Sequence, residues 1–146
     1  MTSKTIYHVE GYVSGEYESS FKAMVDTWDS LLISKENFKE SIYEVGVPFA
    51  QRSKVTSWIV DTSNSEGLFK VEAQKFIDET VEPKFAEIGI KRFFIIPPKS
   101  AIPKLSATRV AEINNDQDDM QTITIDSVNS AVNMIKGKQQ EESLNR

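Results

Sequence analysis

Residues Val55 to Gly67 read VTSWIVDTSNSEG. Val55 to Val60 has the make-up of a buried strand and runs straight into a polar loop, Asp61 to Gly67, after which a long amphipathic helix starts near Leu68. In a sheet covered by helices a strand of this kind is central, and the loop at its carboxyl end is where sites form.

Downstream, Val71, Ala73, Phe76, Ile77, Val81, Phe85 and Ile88 give the helix over Phe69 to Ile88 a wide apolar face. Pro83 predicts a bend in it, because proline lacks the N–H and crowds the preceding turn. Gly89 suits the position just past a helix. Ile90 to Ile96, IKRFFII, is an almost continuous apolar run and reads as a further buried strand, stopped by Pro97 and Pro98. A weaker helix is expected over Lys104 to Asn114, then an acidic loop to Asp119 and a strand from Met120 to Ile125. Asp126 or Ser127 caps a last helix, with Val128, Ala131, Val132 and Ile135 at i, i+3, i+4 and i+7 and Gly137 as its end.

Upstream, Thr5 to Val13 alternates apolar and polar residues as an edge strand does, with Gly15 expected in a turn. Ser20 to Trp28 follows as a second strand, placing Phe21, Ala23, Val25 and Thr27 on one side and Met24, Asp26 and Trp28 on the other. The short spacing favours an antiparallel hairpin. Ser34 is a good N-cap for a helix whose stripe is Phe38, Ile42, Val45 and Phe49, and Pro48 is expected to kink or end it near Val45. The resulting fold class is α/β: a five-stranded mixed sheet, an opening antiparallel hairpin followed by parallel strands, with four helices. Residues 1–137 read as one domain and 138–146 as a flexible tail.

The chain has 146 residues, enough to bury a real core; 39% are hydrophobic and 27% charged, the balance of a globular protein. A net charge of −5 and a pI near 5.0 argue against a nucleic-acid partner, which demands a basic surface. With no cysteine, disulfides, thiolate catalysis and cysteine-ligated zinc are excluded. The opening MTSKTIYHVEG lacks the apolar core of a signal peptide, and no apolar run approaches the ~20 residues that span a bilayer, so a cytoplasmic location is expected.

The segments FKAMVDTWDSLLISKENF, WIVDTSNSEGLF, EIGIKRFFII and MQTITIDSVNSAVNMI, in this order, resemble the STAS domain of anti-sigma-factor antagonists and sulfate-transporter tails, over about Ser20 to Ile135. The nearer likeness is to small bacterial STAS-like proteins. The resemblance implies a regulatory, protein-binding module. In the antagonists a serine just after the central strand is phosphorylated by a partner kinase, and phosphorylation releases the partner. The corresponding residues here are Asp61, Thr62, Ser63, Asn64, Ser65, Glu66, Gly67 and Leu68, with Ser65 the best positional match and Ser63 the second. The chain departs from the pattern at Glu66, which separates Ser65 from Gly67.

Without any family, the same loop has two readings. Backbone N–H groups at a helix start can hold an anion or phosphoryl group, or Ser65 or Asn64 simply caps the helix. His8, the sole histidine, reads as a surface or half-buried strand residue. Asp26, Asp29 and Asp61 lie near strand ends without the spacing of a metal loop, and Asp116 to Asp119 reads as a solvated loop. Trp28, Phe49, Trp58, Phe93 and Phe94 offer bulk for a ligand pocket beneath the helices, although core packing is the preferred reading. Leu31, Leu32, Phe69 and Ile102 are a candidate contact patch. No phosphate loop, nucleophile elbow or dinucleotide fingerprint is present, so no metal, cofactor or catalytic group is expected. The expected function is a non-enzymatic regulatory or protein-binding module, switched by phosphate at Ser65 or Ser63. The alternative, implied by the lipid-binding relatives of the STAS-like architecture, is a carrier of a small apolar or lipid-like ligand, whose observable form would be an apolar cleft lined by the first two helices.

Overall fold

The computed structural model describes residues 3–99, 112–114 and 120–144. Six strands of four to seven residues, β1 (Ser3–Val9), β2 (Val13–Glu18), β3 (Ala23–Trp28), β4 (Ser57–Asp61), β5 (Arg92–Ile96) and β7 (Gln121–Thr124), join a three-residue edge strand, β6 (Glu112–Asn114). They make one mixed sheet in the order β1-β2-β3-β4-β5-β7-β6. The pairs β1/β2, β2/β3 and β6/β7 are antiparallel, and β3/β4, β4/β5 and β5/β7 are parallel. The fold is therefore α/β, and the VTSWIV stretch supplies its middle strand, with three strands on either side.

The opening differs from the expected hairpin. It is a three-stranded meander, and Gly15 lies inside β2 rather than in a turn. The first reversal falls at Gly11, whose φ is +82. Gly15 is needed in the strand for room: a Cβ there would stand 2.2 Å from Cζ of Tyr7. The strand count rises further because Glu112–Asn114 pairs as β6, where the end of a helix was expected. The rest of that expected helix lies outside the described residues.

Three helices cover the sheet among the described residues. α1 spans 35–52, α2 spans 71–88, and α3 is Val128–Leu144. Ser34 Oγ accepts the Asn37 N–H at 3.1 Å and Ser127 Oγ accepts the Ser130 N–H at 3.1 Å, so both expected caps form. α3 continues through Gly137 instead of ending there.

Neither proline ends its helix. α1 is α-helical at Lys35–Phe38 and Val47–Arg52 but widens to a π-helix at Lys39–Gly46. α2 does the same at Ile77–Val81. The residue before each proline donates five residues back, Val47 to the Ile42 carbonyl and Glu82 to the Ile77 carbonyl. The wider turn gives the proline ring the space that an α-turn denies it.

The period-two alternation of the strands divides the core. Met24, Trp28, Trp58 and Phe93 face α1 and α2, together with Phe38, Ile42, Val81 and Phe85. Ala23, Ile59, Phe94 and Ile123 face α3, together with Ala131 and Ile135.

Candidate functional site

The site grows from one residue that the pattern leaves isolated. On β3, Asp26 falls between Met24 and Trp28 on the apolar face, and only 2% of its surface is exposed. A carboxylate so placed is costly unless it is hydrogen-bonded. Two donors meet it: the Tyr7 hydroxyl on Oδ1, and Trp58 Nε1 on Oδ2 at 2.8 Å. Tyr7 reaches it from β1 because its ring passes between two glycines. Gly15 leaves one side free, and a Cβ on Gly46 in α1 would stand 2.8 Å from the ring on the other. Burial pushes the Asp26 carboxyl up to about 7, although its bonds from Tyr7 and Trp58 pull the other way. Burial, with the charge and hydrogen bond of Asp26 behind it, raises the Tyr7 hydroxyl well above its ordinary range.

Asp26 lines a cavity of about 320 Å³ between the sheet and helices α1 and α2, at the small end of the ~300–1,000 Å³ usual for ligand pockets. Its floor comes from β3, β4 and β5 through Asp26, Trp28, Trp58, Val60 and Phe93. α1 contributes Phe38 and Ile42, and α2 contributes Ile77, Val81 and Phe85. Aromatic rings support one another at both ends. Trp58 stacks on Phe85 with centroids 4.1 Å apart, and Phe69 meets Trp28 edge-on at 5.2 Å. Trp28 also lines the cavity, and its buried Nε1–H has no acceptor among the described residues. Gln74, Asp78 and Glu82 of α2 and Thr62 after β4 add polar groups to the lining, with Gln74 Nε2 donating to Asp78 Oδ1 at 2.9 Å. Gln74 and Asp78 are exposed and mark the mouth. Partial burial, then the charge of Asp78, raises the Glu82 carboxyl. Both π-helical segments border the cavity, through Ile42 in one and Ile77, Asp78 and Val81 in the other. Such widened turns recur at functional sites.

The loop that the sequence singled out has a different geometry from the one expected. Asp61 Oδ1 accepts from Ser63 N at 2.9 Å and Ser63 Oγ at 2.6 Å. Thr62 is buried, with its hydroxyl on the Ile96 carbonyl at 2.6 Å, and Ser65 Oγ donates to the Thr62 carbonyl at 2.8 Å. Glu66 donates to the Asp29 carbonyl and accepts from Leu31 N, which stitches the loop to the chain leaving β3. Asn64, Gly67 and Leu68 are exposed. The helix begins only at Val71, after Lys70, with no side-chain cap. Neither Ser65 nor Asn64 caps it, and the loop does not sit on a helix start. Three further residues, Leu68 to Lys70, intervene because the Glu66 pairing with Asp29 and Leu31 holds the chain extended.

The remaining candidates separate. Asp26 is buried under α1 and α2, Asp29 is exposed, and Asp61 faces away toward Ser63. His8 is exposed on β1. Of the five aromatics, Trp28, Trp58 and Phe93 line the cavity, Phe94 packs toward α3, and Phe49 meets Tyr17 edge-on at 5.1 Å. In the contact patch Leu31 is buried, Phe69 is half-buried against Trp28, and Leu32 is exposed, while Ile102 lies outside the described residues. The sequence reading missed Tyr7 and the cavity-lining part of α2, Gln74, Asp78 and Glu82. The available signal was Asp26 itself, a charge set among Met24, Trp28 and Trp58.

The fold and this site define an α/β protein with an acidic, aromatic-walled cleft under its first two helices. No family model, curated protein or solved structure matches the chain, and nothing in those comparisons identifies a STAS domain. Among the described residues, no helix is long and apolar enough to cross a membrane.

Proposed function

We propose that this protein is a non-enzymatic binding module that holds a small, largely apolar molecule in the cavity between α1, α2 and the sheet. The supporting observation is the cavity itself: a mainly aromatic and aliphatic wall with few polar groups, the usual make-up of a ligand site. The Trp28 Nε1–H in that wall, without an acceptor among the described residues, supports it, since buried donors ordinarily find acceptors. A binding rather than catalytic role fits the lining. Among the described lining residues the one hydroxyl, on Thr62, is tied to the Ile96 carbonyl, and Asp26 has a protein donor on each oxygen. The strand and helix order that resembles STAS domains and their lipid-binding relatives is compatible with this role. Native mass spectrometry of protein from its own cells should show a small molecule above the mass of the bare chain. A bare chain alone, together with no uptake of any small aromatic probe, overturns the reading.

A second reading, docking of a protein partner on the Asp61–Leu68 loop with phosphorylation at Ser65 or Ser63, is favoured by one observation. Leu32, Leu68 and Val71 are 50%, 77% and 80% exposed, and Leu32 packs against Gly67 of the loop. Phosphopeptide mapping that finds either serine modified supports it. Joint substitution Ser63→Asp and Ser65→Asp that leaves every captured partner bound counts against it.

A further inference from the structure

We propose that the molecule taken by this cavity is an organic ammonium, a compact ring-bearing amine whose charged nitrogen binds Asp26 and whose apolar body lies among the aromatic rings. The inference rests on the cavity being the ligand site and adds the chemical class of the ligand.

Three observations carry it. The first is the sign of the lining: its ionisable side chains are Asp26, Asp78 and Glu82, all acidic, with no lysine or arginine among the described lining residues. Acids at both the floor and the mouth give a negative field that attracts a cation and repels carboxylates and phosphates. The second is the wall. Aromatic side chains line the cavity from β3, β4, β5 and both helices, and aromatic faces attract cations, most strongly where water is excluded. The third is the spare capacity of Asp26. Tyr7 and Trp58 occupy one acceptor site on each oxygen, whereas a carboxylate offers about four, so N–H donors of a bound ammonium have places to go. A buried carboxylate with only neutral donors is also undercompensated in charge, and a cation supplies what Tyr7 and Trp58 do not.

The groups facing Asp26 set the pH behaviour. From β1 there is the Tyr7 hydroxyl, and from α2 there are Asp78 and Glu82; β2 brings Gly15 opposite it, and the lining residues of α1, β4 and β5 add no ionisable group among the described residues. Asp26 loses its proton near pH 7. An amine cation should therefore bind more tightly above that pH than below it, while a neutral ligand of the same shape should not respond.

The test uses three probes of one skeleton: 3-phenylpropylamine as the cation, 3-phenyl-1-propanol as the neutral form and 3-phenylpropionate as the anion. Both tryptophans of the chain line the cavity, so intrinsic fluorescence reports occupancy directly. At about pH 8 the amine should bind at least about tenfold more tightly than the alcohol, the scale of a hydrogen bond to a charged group, with the carboxylate weakest. At about pH 5.5, with Asp26 protonated, that preference should shrink to a few-fold at most. Asp26→Asn should erase it at both pH values, with a cooperative urea unfolding transition as the control that the variant folds. If that variant does not fold, the pH series on the unmodified protein decides alone. Alcohol and amine binding equally at about pH 8, or carboxylate binding best, sinks the ammonium proposal and leaves the ligand site standing. Failure of all three probes to bind overturns the ligand site and this proposal together.

Discussion

The two faces of the sheet share their strands and differ by single-residue steps. Trp58 turns to α1 and α2, and its neighbour Ile59 turns to α3; Phe93 and Phe94 divide in the same way. The α3 side is mainly aliphatic and well covered: Ile59 and Phe94 are fully buried, as is Ala131 of the helix above them. The other side has most of the large aromatics, the buried carboxylate, two helices with widened turns and the cavity. A fold under pressure for stability alone has no use for the second arrangement, since hollows forfeit dispersion contacts and buried carboxylates cost solvation. The contrast sets cohesion on one face and, under the proposed function, binding on the other.

Substitutions on each face test that division. The largest effect should come from truncating paired residues on β4. Trp58→Ala removes a ring stacked on Phe85 and a donor to Asp26, so it should cost about 3–5 kcal/mol in urea unfolding and abolish probe uptake. Ile59→Ala should cost about 2–4 kcal/mol by the same assay but leave uptake unchanged. Equal effects of the two on uptake would erase the distinction between the faces.

Next in size is a pH effect confined to the cavity face. Between about pH 4 and pH 7 the folded protein keeps a proton on Asp26 that the unfolded chain has released. The folded state binds more protons there, so stability should fall as pH rises across that interval, by up to about 1.4 kcal/mol per pH unit, and level off above pH 7. Glu82, also raised, acts in the same direction. Asp26→Asn should flatten most of the slope in unfolding curves collected over that range.

Gly15→Ala comes third. Its Cβ would overlap the Tyr7 ring, which is boxed in by Gly46 and cannot swing aside, so a loss of about 1–3 kcal/mol is expected in thermal or urea unfolding. The smallest effects serve as controls on both faces. Ser34→Ala at the start of α1 and Ser127→Ala at the start of α3 each remove one cap bond, and each should cost about 1 kcal/mol with no change in probe uptake.

How much of this was legible in the sequence depended on whether the relevant signal was local. The placement of β4 at the centre, the division of β3 into two faces and the serine caps follow from short-range alternation and polar punctuation, and the structure has them. The meander was misread because a glycine signals a turn by default. Gly15 answers instead to Tyr7, eight residues away in sequence and across the β1/β2 pair. Pro48 signalled a kink or an end and Pro83 a bend, and the i to i−5 bond ahead of each lets the helix continue past it. The emphasis on the Asp61–Gly67 loop assumed that a helix starts where the polar residues stop. The pairing of Glu66 with Asp29 and Leu31 delays that start to Val71, and no local pattern announces such a pairing. The cavity is a property of how α2 stands off the sheet, so its wall could be named in part, as Trp28, Trp58 and Phe93, without its existence being derived.

The most direct test of the account is a titration of the unmodified protein and Val60→Phe with 3-phenyl-1-propanol, followed by tryptophan fluorescence. Val60 lines the cavity from β4, and a phenyl group there would occupy the space that a ligand needs. The account predicts saturable quenching in the unmodified protein and none in a variant that remains folded and about as stable. Absence of saturable quenching in the unmodified protein, or the same quenching in both, would contradict it.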